Sequence, residues 1–486
     1  MAKPSFIVNF IFTLVLNVLV KPIWVLLIDR QVQLQAGHEQ YGQYAALMSM
    51  ALMFNILLDI GLTNYNQREM AAHPERIRAD WPNMLMAKIL LSGVYALFIM
   101  SLAYLFGYNQ QALLWLTWVV LIQAMNSMLL FLRSCIAAQH DFLMDGFLSV
   151  LDKGLVIVLA LFFGYTYSMQ SGSLIPLFLY AQAAAYGLAV LVALVWIIAR
   201  YGPFDWFPTG AHSIRRIIQA SLPYALLILA MAVYMRIDSV LLERLQGGKQ
   251  AGWYAAAYRL LDMANMLGYL MAGILLPMLS RLMQENKSFQ VILFQSANIL
   301  MALSLSVLAF AWVYADALMA WLYPADAGAL GTLFRITFSM FPAFGLMYLF
   351  ASVLTAHGNI LLLLKLAAIG AIIALVLQWI FISQWQAQGA AWASLIIEWG
   401  MAMAYIYFAR AKSNLQFPVY WGYKLLALLV GMGILNAVFL RLGVVWTFAA
   451  GLNIPAFFLI VYAIKLWQRD TLVAYLQAFR SGRMGD

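Results

Sequence analysis

The chain is a succession of apolar stretches about 20 residues long, each nearly free of charge and joined to the next by a short polar segment. In hydrocarbon such a stretch must satisfy every backbone N–H and C=O within itself, so each reads as a membrane-spanning α-helix. About fourteen segments qualify. The first two lie near 6–28 and 43–63, the seventh and eighth near 217–242 and 251–276, and the last near 444–465. Of the 486 residues, 65% are hydrophobic and 10% charged, against roughly 25% charged in a soluble domain. That composition excludes an ordinary soluble enzyme, a disordered chain and a nucleic-acid binder.

The formal charge of +9 serves first to orient loops, because Lys and Arg are retained on the cytoplasmic side. With the N-terminus inside, inner loops carry Arg68, Arg76, Arg78, Arg133, Arg200, Arg281 and Lys287 among others. Outer loops carry only Arg30, Arg244, Lys249, Arg335 and Arg441. The bias predicts an even number of spans with both termini inside. The N-terminal apolar stretch is too long for a signal peptide and reads as a retained first span. The tail 466–486, with Trp467, Leu472, Tyr475, Leu476 and Phe479 among basic residues, reads as an amphipathic interfacial helix. Cys135 stands alone, and HExxH, CxxC and GxxxxGK[ST] are missing, so no metal, cofactor or ATP hydrolysis is expected.

A repeat divides the chain. Ile28-Asp29 followed by Gly42-x-Tyr44-Ala45-Ala46 recurs as Ile237-Asp238 followed by Gly252-x-Tyr254-Ala255-Ala256, with a looser version at Gly389-Ala390-Ala391-Trp392-Ala393. Both copies start on the cytoplasmic side, giving parallel repeats. The expectation is an N-lobe 1–200 of six spans, a C-lobe 201–409 of six, a helix pair in 410–465, and the tail. Parallel lobes put a substrate site between them and let one rock against the other. The stretch 200–216, with Pro203, Pro208 and Gly210, reads as the hinge.

Charges within spans are costly and mark function or pairing. They include Lys21, Asp59, Lys88, Asp152, Lys153, Arg236, Asp238, Arg259, Asp262, Lys365 and Glu398. Lys21, Arg236 and Arg259 fall at similar depth on spans that begin the two lobes, and could line a cationic chamber for a phosphate group. The competing reading is structural pairing, Arg259 with Asp262 at i, i+3 and Arg236 with Asp238. Lys88 and Lys365, near span ends, read as snorkelling to the interface. Asp59 reads as an interfacial cap or a site. Glu398 and Asp152 are the carboxylates for proton or cation coupling, with a protonated structural role the alternative for Glu398. Pro22 and Pro223 sit in equivalent spans, where a bending gate or a tolerated kink would fit.

The stretch Phe54-Asn55-Ile56-Leu57-Leu58-Asp59-Ile60-Gly61-Leu62 with Gln67-Arg68-Glu69-Met70-Ala71 resembles the end of span two in Wzx-type polysaccharide flippases. These form the polysaccharide-transport branch of the multidrug/oligosaccharidyl-lipid/polysaccharide exporter superfamily. Tyr234-x-Arg236-Ile237-Asp238 and Gly252-x-Tyr254-x-Ala256-Ala257-Tyr258-Arg259 resemble it as well. The resemblance implies an all-α polytopic, MATE-like fold of two six-helix lobes plus a terminal helix pair. It also implies alternating access in a bacterial inner membrane and translocation of undecaprenyl-pyrophosphate-linked oligosaccharide. It assigns Lys21, Arg236 and Arg259 to the chamber and spans thirteen and fourteen to a lipid-tail groove, and it implies coupling to protons or sodium. Asp238 and Asp262, close to the two arginines in sequence, are the further substrate-binding candidates. Two alternatives stand: a cation-coupled multidrug exporter, which wants an acidic cavity, and a membrane-embedded glycosyltransferase or polymerase. The latter needs catalytic residues in a sizeable outer loop, for which 29–42 and 314–332, with Asp316 and Asp326, are the longest available.

Overall fold

The structure is a computed structural model that describes residues 23–72, 77–139, 141–166, 174–202, 204 and 211–466. Lys21, Pro22, positions 203 and 205–210 of the expected 200–216 hinge, and the tail beyond 466 lie outside the described residues. Among the described residues the regular structure is all helical, with no strand. The order is α1 (Arg30–Met53), α2 (Leu62–Ala72), α3 (Ile77–Leu105), α4 (Gln110–Ala138), α5 (Phe142–Thr166), α6 (Leu174–Tyr201), α7 (Ala211–Gln246) and α8 (Gly248–Gln284). There follow α9 (Gln290–Val313), α10 (Ala315–Leu322), α11 (Ala327–Phe338), α12 (Phe341–Ala356), α13 (Ile360–Ser413), α14 (Trp421–Arg441) and α15 (Trp446–Ala463). Among the described residues, 10 helices are long and apolar enough to cross a membrane. One of them, α13, is 54 residues long and holds two of the expected spans across a bend at Gln386.

Several connections are tighter than expected. The stretch near 29–42 is helix, with a π turn at Trp24–Asp29 and a single corner at Gly37 (φ 79°, ψ 160°) inside α1. The equivalent corner between α7 and α8 is Gly247 at φ 85°, and α13 turns at Gln386 (φ 53°, ψ −130°). Glycine takes these left-handed conformations without a Cβ penalty, whereas Gln386 carries a cost of about 1–3 kcal/mol. The stretch 314–332 is likewise built mostly of α10 and α11, and Arg335 binds Asp316 at 2.6 Å.

The corners explain the repeated glycines. Gly42 follows the first corner and Gly252 the second at the same offset, and a Cβ on Gly42 would strike the Gly248 carbonyl oxygen and the Gly252 nitrogen. A Cβ on Gly252 would strike the His38 carbonyl, and one on Gly389 the Phe381 carbonyl. The recurring motif therefore marks where backbone meets backbone just past a corner. Gln33, fully buried, donates to the Gly252 carbonyl at 2.7 Å and pins the same contact.

The helices gather into two compact units, residues 1–252 and 253–486. In the first, α4 and α6 pack along their lengths, with Trp81, Tyr95 and Phe131 wholly buried. In the second, α11 and α12 form the most buried part, centred on Phe334, Phe341 and Phe344. The pair α14–α15 exposes Val430, Ile434, Phe448, Ile454 and Leu459, while Asn436 and Asn453 exchange amide hydrogen bonds of 2.9 and 2.8 Å. In the α8–α9 connection, Lys287 and Arg281 both bind Glu285 and hold its carboxyl down at about 2.

Gly42→Ala is expected to lower the thermal midpoint in detergent, because only backbone faces the new methyl and overpacking costs about 1–3 kcal/mol. Gly273→Ala, which meets open space in α8, should hold or raise it, since alanine is the better helix former by about 1 kcal/mol.

Candidate functional site

Polar side chains inside the spans are organised into bands, one in each unit. In the first unit α5 and α6 bring together Asp152, Lys153 and Tyr186. The Lys153 ammonium lies 2.5 Å from Asp152 Oδ2, donates to the Tyr186 hydroxyl at 2.5 Å and sits 4.8 Å from that ring's centroid. Adjacent helical residues do not face one another, so the flexible lysine stem bends back onto its neighbour. One turn before Tyr186 on α6, Gln182 donates to the Tyr44 hydroxyl at 3.3 Å. Tyr44 packs edge-on against Tyr41 at 5.6 Å, and Tyr41 donates to both oxygens of Asp29 at 2.8 and 2.9 Å. Two carboxylates, Asp29 and Asp152, thus flank a band of phenols and one amide.

The second unit repeats the arrangement. The Tyr254 hydroxyl lies 3.2 Å from Ser394 Oγ, which Gln378 also reaches at 2.8 Å. One turn beyond Ser394 on α13 stands Glu398, 3% exposed. The motif tyrosine of each repeat therefore bonds to the sixth span of its own set, Tyr44 to Gln182 and Tyr254 to Ser394. The residues one turn further on, Tyr186 and Glu398, correspond. This is the internal repeat expressed as side-chain chemistry.

Arg259, 5% exposed on α8, donates to the Tyr323 hydroxyl at 2.6 Å, with its guanidinium 5.9 Å from the ring centroid. Tyr323 follows α10 and is itself buried. Asp262 lies one turn beyond Arg259 and is exposed. Arg236 and Asp238 are on α7 in the first unit, Arg236 half-buried and Asp238 buried with Oδ1 accepting from the Ser239 N–H at 2.7 Å. Of the residues singled out in the sequence, the structure joins Asp152 with Lys153 and Asp59 with Lys88. It gives Arg259 and Glu398 buried positions in one unit.

Three groups escaped the sequence reading. Asp29, Tyr41 and Tyr44 were visible only as repeat markers, although two tyrosines at i, i+3 in an apolar helix are a usable signal. Glu243 is buried and accepts from Tyr108 at 3.1 Å, with Arg244 stacked 4.4 Å from the Tyr108 ring. Burial, reinforced by the Glu243 carboxylate, pushes the Tyr108 phenol up. The third is a correction. Lys88 does not snorkel but is 0% exposed and paired with Asp59 at 2.5 Å, while Lys365 is exposed. No group of three His, Cys, Asp or Glu side chains that could hold a metal occurs among the described residues.

A family profile described as polysaccharide biosynthesis protein matches residues 7–283. The chain belongs to the polysaccharide biosynthesis protein family. Among solved structures, the lipid II flippase MurJ in an inward closed conformation superposes with a TM-score of 0.68 at 14% identity, covering 94% of this chain and 98% of that one. An inward-facing multidrug resistance MATE transporter of the MOP superfamily gives 0.61 at 17% identity, covering 83% and 94%. A MOP superfamily transporter from Pyrococcus furiosus, whose binding pocket is described as reversed in polarity, gives 0.57 at 15% identity, covering 84% and 94%. Among curated proteins no sequence matches. This polysaccharide biosynthesis protein therefore has the polytopic all-helical fold of the MOP superfamily, and its structural neighbours are transporters and flippases.

For this family member, Lys153→Met should be strongly destabilising, by about 3–5 kcal/mol, because it strands a buried carboxylate. The double change Asp152→Asn/Lys153→Met should recover most of that loss, and Tyr186→Phe should cost only about 1 kcal/mol. Thermal unfolding of the four purified proteins in one detergent measures all three effects.

Proposed function

We propose that this protein is a flippase. It carries polyprenyl-pyrophosphate-linked oligosaccharide from the cytoplasmic to the outer leaflet of a bacterial inner membrane by alternating access, with both termini cytoplasmic. The lobes are 1–200 and 201–409, and α14–α15 serve the lipid tail. A pyrophosphate-linked sugar cannot cross hydrocarbon unaided, whereas its polyprenyl tail need never leave it. What has to be supplied is a cationic, water-accessible path for the head group.

The observation that carries this reading is Arg259. An arginine this deeply buried within a span is expensive, and the hydroxyl of Tyr323, just past α10, accepts from its guanidinium and helps to orient it. A guanidinium fixed in this way is suited to bidentate contact with a phosphate. Arg236 and Lys21 complete the proposed chamber, and Asp238 and Asp262 tune it. Asp152 and Glu398, at the buried carboxylate positions of the two bands, are the proposed coupling groups for a proton or sodium ion. Family membership and the likeness to the lipid II flippase fold support a lipid-linked cargo. The multidrug exporter reading draws on the MATE fold and the same two carboxylates, but gives Arg259 no task.

The test is translocation of a fluorescent polyprenyl-pyrophosphate oligosaccharide in proteoliposomes. Replacing Arg259 or Arg236 with Gln removes a charge-assisted hydrogen bond worth about 1.5–3 kcal/mol, so the rate should fall roughly 10- to 100-fold with the fold intact. Export of an organic cation under an ion gradient, with no movement of the oligosaccharide lipid, would select the exporter instead.

A further inference from the structure

Span two is broken inside the first unit. The second half of α1 ends at Met53, and the chain passes through a 3₁₀ turn at Asn55–Leu58 before α2 resumes at Leu62. Between them Asp59 has φ −130°, Ile60 φ 43° and Gly61 φ 82°. Glycine accepts such a conformation freely, but a β-branched isoleucine at positive φ is a genuine outlier. Backbone freed at such a break has to be satisfied again from neighbouring spans.

The neighbour that does so is α3. Its Tyr95 hydroxyl donates to the Ala51 carbonyl at 2.8 Å, one of the four carbonyls the end of a helix leaves open. Two turns earlier on the same helix, the buried Lys88 ammonium reaches Asp59 Oδ1 at 2.5 Å. Asp59 in turn accepts from the Thr63 N–H at 3.2 Å and from the Thr63 hydroxyl, which caps the start of α2. Lys88 and Tyr95, at i and i+7, therefore hold opposite ends of the gap. The flanks are anchored separately. Phe54 packs edge-on against Phe98 of α3 at 4.9 Å, and Asn66 of α2 donates to Ser134 of α4 at 2.8 Å.

We propose that residues 54–61 are a pivot at which α2 swings relative to α1, and that Lys88 and Tyr95 of α3 are the splint that sets the bend. Two rigid helical segments meet at a few residues in sparsely populated conformations, which is the geometry of a hinge. An ordinary tolerated kink would need its backbone satisfied but would have no use for a buried ammonium–carboxylate clasp across it. The clasp makes the bend adjustable, because anything that removes charge from Asp59 or Lys88 releases one end while Tyr95 still holds the other.

The pivot is read as a distance and does not depend on what is carried. Spin labels at Glu39 and Gln67, both exposed and on either side of the break, are placed in a Cys135→Ser background in lipid nanodiscs. A second pair at Met86 and Leu105, both exposed on α3, reports on the splint itself. Lys88→Met and, more mildly, Tyr95→Phe should shift or broaden the Glu39–Gln67 distance distribution and leave the Met86–Leu105 distribution as in wild type. Lys88→Arg should restore the first distribution. A Glu39–Gln67 distribution unchanged in Lys88→Met and Tyr95→Phe alike overturns the pivot. So does broadening that reaches the Met86–Leu105 pair in the Tyr95→Phe protein, which would mean general loosening. Should Lys88→Met fail to fold, Tyr95→Phe decides alone.

Discussion

The bilayer offers a polypeptide no water, and the placement of polar atoms in this chain follows from that. Each turn of helix satisfies its own backbone, so every departure from helix has to be made good by a side chain or by a corner of minimal length. The corners at Gly37 and Gly247 are single residues. Just beyond each, a glycine lets backbone lie on backbone where any larger residue would hold the segments apart. Where span two breaks, a phenol from span three takes up a backbone carbonyl, and an ammonium from the same span holds the Asp59 carboxylate that caps the next helix. The same rule makes the buried amide pair of α14 and α15 exchange its hydrogen bonds reciprocally, each side chain being donor and acceptor for the other.

Much of this could be read from the chain before any fold was known. Span length and apolar character follow from hydrocarbon thickness alone, and the G-x-Y-A-A recurrence pointed to the structural repeat. The repeat's meaning was not legible, because it depends on which residues a distant span presents. Nothing in the local sequence of Tyr44 or Tyr254 names Gln182 or Ser394 as its partner. Lys88 was misread for a related reason. Position along a span gives depth, and depth suggested an escape to the interface, but the direction of the side chain around the helix places it against Asp59. The stretch 29–42 looked like a loop because its polar residues interrupt the apolar run. Polar residues are tolerated in helix when the corner takes a single glycine.

The two bands of polar residues share their scaffold and differ in charge. Tyrosine from the second span of each set meets a polar side chain from the sixth, and one turn further on the chemistry parts. The first unit carries Tyr186 held by the Lys153–Asp152 pair, and the second carries Glu398. Packing and hydrogen-bond geometry constrain the scaffold positions, so they keep their chemistry in both copies. The position one turn away can vary, and that is where the copies acquire different tasks. The Arg259–Tyr323 contact belongs to the second unit, whereas Arg236 of the proposed chamber belongs to the first.

The central claim is that the protein recognises a lipid-linked pyrophosphate through intramembrane cations. Native mass spectrometry of the purified protein, offered polyprenyl-pyrophosphate oligosaccharide together with the corresponding monophosphate and the free polyprenol, tests it most directly. The account predicts preferential, saturable retention of the pyrophosphate lipid, weakening down the series as head-group charge is lost. Equal retention of the uncharged polyprenol would contradict it, because the tail alone would then account for binding.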